Sequence, residues 1–70
     1  MAKAVKKIKK GIEKNPRDAD NWIIWGVILR YHCSYKSARH KFLKALKLDP
    51  KSETAKQELT SIDRIIDLDN

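Results

Sequence analysis

The chain lies over itself at an offset of 34 residues: Ala4 falls on Ala38, Ile8 on Phe42, Gly11 on Ala45, Ile12 on Leu46, Pro16 on Pro50 and Trp25 on Leu59. A period of this length, matched in residue size, is the mark of a helical repeat. Each unit is then a pair of helices that buries its apolar face only by stacking on neighbours. Seventy residues hold about two such periods, so the sequence predicts a single small domain spanning 1–70. At this size a folded chain buries only about 60 to 65% of the surface that its unfolded form exposes. Stability is marginal, and every core position carries weight.

Apolar spacing within the period predicts four helices, approximately 3–15, 20–33, 35–48 and 53–68, and no strand, because no useful stretch alternates apolar with polar. In the first helix Ala4, Val5, Ile8, Gly11 and Ile12 recur at spacings of three and four among lysines. Pro16 ends it, since a proline disfavours helix in the residue before it and has no N–H to donate. Asp18 or Asp20 is placed to cap the second helix, where Trp22, Ile23, Trp25, Ile28 and Leu29 cover more than half the cylinder and predict burial on several sides. Ser34 stands as cap or turn residue before the third helix, whose face is Ala38, Phe42, Ala45 and Leu46, and Pro50 closes that helix. Ser52 precedes the fourth, with Ala55, Leu59, Ile62, Ile65 and Ile66 as its stripe.

Trp22, Trp25-Gly26, Leu29, Ala38, Phe42, Ala45 and Pro50 stand at the spacing of the tetratricopeptide pattern, an aromatic, Leu-Gly and Tyr followed by Ala, a large aromatic, Ala and Pro. The chain resembles that family over residues 4–68. Trp25 replaces the usual Leu and Leu29 the usual Tyr, while Lys56 and Thr60 depart from the aromatic and glycine of the pattern in the last helix. The resemblance implies antiparallel helical hairpins in a right-handed superhelical stack, with one complete repeat at 19–52 flanked by the second helix of one repeat and the first helix of another. Gly26, Ala38 and Ala45 are small, as close approach of paired helices requires, and Trp22, Trp25, Leu29 and Phe42 fill the space between them.

Composition removes several function classes. The longest apolar run, Trp22 to Leu29 with Gly26 counted, is far short of the roughly 20 residues that a spanning helix needs. Lysines interrupt the apolar residues after Met1, which argues against a secretory signal, so the expectation is a cytoplasmic chain without a membrane role. Cys33 alone forms no internal disulfide. His32, Cys33 and His40 lack the spacing of helical metal ligands, and Cys33 reads as an exposed turn thiol. Asp63 and Asp67 share a helix face without a sheltered pocket, and neither glycine lies in a phosphate-cradling loop. No catalytic residue, metal or cofactor is expected.

What remains is binding. The resemblance implies that the first helix of each repeat lines a concave peptide groove, here Asp20, Ile23, Val27, Arg30 and Tyr31, continued by Thr54, Gln57, Ser61, Arg64 and Ile65. Family members that grip a terminal carboxylate use Lys and Asn where Ile23 and Val27 stand. The expectation is therefore a groove with an apolar floor and Arg30 and Arg64 as polar anchors. Self-association is the companion expectation, toward a homodimer: Leu59, Ile62, Ile65 and Ile66 on the last helix are offered to Val5, Ile8 and Ile12 of another copy, whose lysines would meet Glu58, Asp63 and Asp67. The competing class is a nucleic-acid binder, suggested by a net charge of +7 and by lysines along the first and third helices. Against it, the aromatics occupy repeat-core positions, which leaves no stacking surface for bases.

Overall fold

A computed structural model describes residues 2–69, with side chains from 6 to 68. Those residues form an all-α chain: α1 (Ala2–Lys14), α2 (Ala19–Tyr31), α3 (Tyr35–Leu48) and α4 (Glu53–Asp69). The helix bounds agree with expectation to within a residue or two.

The connections explain why the helices stop and restart where they do. At the end of α1 the Asn15 N–H donates to the Gly11 carbonyl at 2.9 Å and the Asp18 N–H to the Asn15 carbonyl at 3.1 Å. Thirty-four residues on, Asp49 donates to Ala45 at 2.8 Å and Ser52 to Asp49 at 3.1 Å. The 34-residue period is thus present in backbone hydrogen bonding as well as in residue size. Each turn then hands over to an N-cap side chain. Asp18 Oδ1 accepts from the Asp20 N–H at 3.1 Å, and Ser52 Oγ accepts from the Ala55 N–H at 3.3 Å, each satisfying a donor that the first helical turn would leave unpaired. The Trp22 indole N–H donates to the Pro16 carbonyl at 3.0 Å, tying the first turn to the helix that follows it.

The α2–α3 turn is built differently. Ser34 N–H donates to the Leu29 carbonyl and Cys33 N–H to the Arg30 carbonyl, both at 2.9 Å, which is the paired pattern of a Schellman C-cap. Cys33 occupies the left-handed position of that cap with φ 63, where glycine is the usual occupant. Ser34 sits at the N-cap of α3, but its side chain makes no capping hydrogen bond. The turn is closed by its backbone.

The core lies among α2, α3 and α4: Ile23, Ala38, Phe42, Ala45, Ala55, Leu59 and Ile62 are buried, with Ala19, Trp22, Leu29, Tyr35, Leu46 and Ile66 packed around them. Helix α2 meets all three other helices; its pairing with α3 is the most extensive, followed by that of α3 with α4. Among the described residues helix α1 packs on α2 alone, and Ile8 and Ile12 are half-buried. The Cα trace measures 37 × 29 × 13 Å. That thickness fits two helix layers at the usual interaxial distance of about 8–10 Å, so every helix keeps an outward face.

Candidate protein-interaction surface

Because α2 is apolar around most of its circumference, three neighbouring helices do not cover it. Ile24, Val27 and Tyr31, spaced three and four apart and so aligned on one face, remain 45%, 37% and 77% exposed. The ring of exposed His32 packs edge-on to Tyr31 with centroids 6.3 Å apart, so the aromatic end of this stripe has a polar flank. Helix α4 adds exposed Thr54, Gln57, Ser61 and Arg64, with Ile65 half-buried and Leu68 86% exposed at its end. Among the described residues, Ile24, Val27, Tyr31, Leu43 and Leu68 are the exposed large apolar side chains, and three of the five share the α2 face.

An ion pair joins the two helices. Arg30 Nη1 stands 2.7 Å from Glu58 Oε2, an oxygen shielded from solvent. Burying a carboxylate oxygen is costly unless a charge compensates it, and Arg30 supplies that charge across the α2–α4 contact. A second pair, Arg39 Nε to Asp63 Oδ1 at 3.1 Å, links α3 to α4 on the outside, with both side chains about half exposed.

These positions revise several expectations. Ile23, assigned to the groove floor, is a core residue, and the exposed place falls to Ile24 one residue on. Arg30 is occupied by Glu58 and is no free anchor, which leaves Arg64 as the exposed cation of the surface. Of the residues assigned to self-association, Leu59 and Ile62 are buried in the chain's own core, and Ile66 packs against it. Glu58 and Asp63, expected to meet another copy's lysines, already face Arg30 and Arg39. Ile8, Ile12 and Ile65 are half-buried, and the Val5 side chain lies outside the described residues. Val27, Tyr31, Gln57, Ser61 and Arg64 are exposed.

Sequence reasoning missed Ile24. In an all-round apolar helix nothing in the periodicity tells which apolar residue is the surplus one; the available signal was its alignment with Val27 and Tyr31 at three and seven residues. It also enclosed the tryptophans too completely. Trp22 and Trp25 are only half-buried and stack on each other with centroids 5.8 Å apart and planes at 24°. Among the described residues no group of three or more His, Cys, Asp or Glu is placed to hold a metal ion, and no helix is long and apolar enough to cross a membrane. Comparison with protein-family models, curated proteins and solved structures gives no match.

Proposed function

We propose that this chain is a non-enzymatic protein-interaction module of tetratricopeptide type, which receives an apolar peptide segment on the face shared by α2 and α4. The observation that carries it is the stripe Ile24, Val27 and Tyr31, exposed on a helix that otherwise serves the core. Tyr31 is the natural anchor, because a tyrosine offers a large apolar body with few rotatable bonds and a hydroxyl at its tip. Arg64 and the amide of Gln57 supply directional polar contacts at the α4 edge, suited to a peptide with an acidic residue beside its apolar ones. With apolar Val27 at one of the two places where carboxylate-gripping members of the resembled family carry Lys and Asn, and Ile23, at the other, turned into the core, recognition runs through side chains of the peptide and not through its terminus.

A face of this size binds modestly, since the loss of translational and rotational freedom on association is about 4–15 kcal/mol before any net affinity appears. The test is an amide chemical-shift titration with three peptides: apolar with one acidic residue, the same peptide with a blocked carboxyl terminus, and an acidic peptide without apolar residues. The first two are expected to bind alike and to shift amides of α2 around Ile24, Val27 and Tyr31, with Tyr31→Ser weakening both. Binding that disappears on blocking the terminus, or that shifts α1 and α3 in place of α2, refutes the proposal.

A further inference from the structure

Charge and helix order coincide in this chain. Helices α1 and α3 together hold eleven Lys and Arg against Glu13 alone, a net of +10, whereas α2 and α4 hold six acids against Arg30, Lys56 and Arg64, a net of −3. The whole excess of +7 therefore comes from the two helices that lie on either side of the tryptophans. Position 21 of α2 meets α1, since a methyl group on Gly11 would come within 3.3 Å of the Asn21 amide; position 26 meets α3 through Phe42. In helical register Trp22 and Trp25 fall on the strip between those two edges. Lys41 Nζ of α3 stands 4.0 Å from the Trp25 ring centroid and 5.7 Å from that of Trp22, and Lys44 Nζ stands 5.8 Å from Trp22. On the other side of the strip α1 exposes Lys6, Lys7, Lys9 and Lys10.

We infer that this strip binds single-stranded nucleic acid, with phosphates on the lysines of α1 and α3 and bases stacked on the half-buried indoles of Trp22 and Trp25. Basic side chains that follow a backbone, together with aromatic faces that accept any base, are the two parts of a sequence-tolerant single-strand site. Here one residue joins them. The Lys41 ammonium rests on the Trp25 ring, and a phosphate draws it away and leaves the ring face to the adjoining base. A duplex lacks the second part, because its bases are already stacked inside. An anionic bilayer is disfavoured because the indoles lie between two helices and do not project from the surface as an interfacial anchor would. The strip lies apart from the α2–α4 face, so it adds a ligand to the peptide reading and does not depend on it.

The test uses the full chain, its tryptophan fluorescence, and three probes: a dT oligonucleotide of about 15 residues, within the reach of a single small domain, inorganic polyphosphate of similar charge, and vesicles containing phosphatidylserine. The oligonucleotide is expected to bind most tightly and quench the fluorescence, with a logarithmic salt slope of about −0.7 per phosphate contacted. Trp25→Leu places at position 25 the residue that the repeat carries at 59. It should weaken oligonucleotide binding by about 5- to 100-fold while polyphosphate binding is unchanged. The double variant Lys41→Gln with Lys44→Gln should flatten the salt slope by about 1.4, and Lys56→Gln on α4 should leave it unaltered. Should Trp25→Leu fail to fold, the lysine variants and the quenching difference between oligonucleotide and polyphosphate decide alone. Polyphosphate binding as tightly as the oligonucleotide with equal quenching, vesicles binding more tightly than either, equal effects of Lys56 and Lys41, or no oligonucleotide binding at low salt each overturn the inference.

Discussion

Gly26 and the ring of Phe42 are in contact that admits no further atom: a methyl group at Gly26 would lie 2.6 Å from Phe42 Cε1, 2.8 Å from Cζ and 2.9 Å from Cδ1. Phe42 is fully buried, so its ring has no solvent to swing into. The α2–α3 pair, the most extensive in the molecule, is therefore set by a missing side chain on one helix and a large one on the other.

Gly26→Ala should destabilise the fold. An alanine gains up to about 1 kcal/mol of helix propensity over glycine, but overpacking a filled core costs about 1–3 kcal/mol, and here the neighbour cannot yield. Gly11 provides the opposite case. A methyl group there meets the Asn21 amide at 3.3 Å, the movable end of a half-buried side chain, and Ala45 already stands at the equivalent place in the repeat. Gly11→Ala should stabilise by about 0.5–1 kcal/mol. Chemical denaturation of both variants checks the pair, and the prediction fails if the two shifts have the same sign.

Cys33 should be improvable. At φ 63 a residue with a Cβ is strained by about 1–2 kcal/mol relative to glycine, and what the side chain returns is one weak hydrogen bond, from the Tyr35 hydroxyl to the sulfur at 3.6 Å. Cys33→Gly is expected to raise stability by about 1 kcal/mol, an increase in melting temperature of about 4–8 °C for a domain of this size. Cys33→Val, with a branched Cβ at the same φ, should lower it. Thermal melts under reducing conditions keep the exposed thiol from complicating the comparison.

The Arg30–Glu58 pair should show asymmetric costs. Arg30→Met leaves a shielded carboxylate oxygen without its counter-charge, whereas Glu58→Gln leaves a guanidinium that still reaches water. The arginine substitution should therefore cost more, about 1–3 kcal/mol against about 1 kcal/mol or less, and the double variant should recover part of the loss. A double-mutant cycle at low and at 0.5 M salt, about a threefold to fivefold rise over ordinary buffer strength, measures the coupling; additive costs in both conditions would show that the pair does not tie α2 to α4.

Particular residues show how far this fold can be read from its sequence. Pro16 and Pro50 stop helices for local steric reasons, and Gly26 and Phe42 stand at the small and large positions of the repeat pattern the chain resembles, so the four helices and the centre of the core were legible. Sequence leaves two kinds of fact open. Cys33 in a left-handed cap is hidden because the residue type does not announce the conformation as a glycine would. The division of α2 between buried Ile23 and exposed Ile24 is hidden because both are isoleucine on a helix with no polar face to fix its rotation. The candidate surface inherits that second ambiguity: Val27 and Tyr31 are exposed, Ile23 is buried, and Arg30 was assigned outward because its partner Glu58 lies on a helix distant in sequence.

Ile62 separates a core role from an interface role. If the stripe on α4 existed to receive another copy of the chain, Ile62→Lys would yield a folded monomer with little change in stability. The structure instead places Ile62 fully buried, as only Phe42 is among the other large side chains described, in a core whose buried residues Ile23, Ala38, Phe42, Ala45, Ala55 and Leu59 offer no polar side chain to receive an ammonium. Burying an unpaired charge, or opening the core to let it escape, costs several kcal/mol. A chain of this length is expected to have only about 4–10 kcal/mol in all, at about 0.05–0.15 kcal/mol per residue. Ile62→Lys should therefore unfold most of the population, visible as loss of helical circular dichroism and collapse of amide dispersion, while Leu68→Lys, at a site 86% exposed, should melt within about 0.5 kcal/mol of the parent. Sedimentation of the parent and of Leu68→Lys across a concentration series completes the comparison. A well-folded, strictly monomeric Ile62→Lys beside a dimeric parent would place Ile62 in an interface after all.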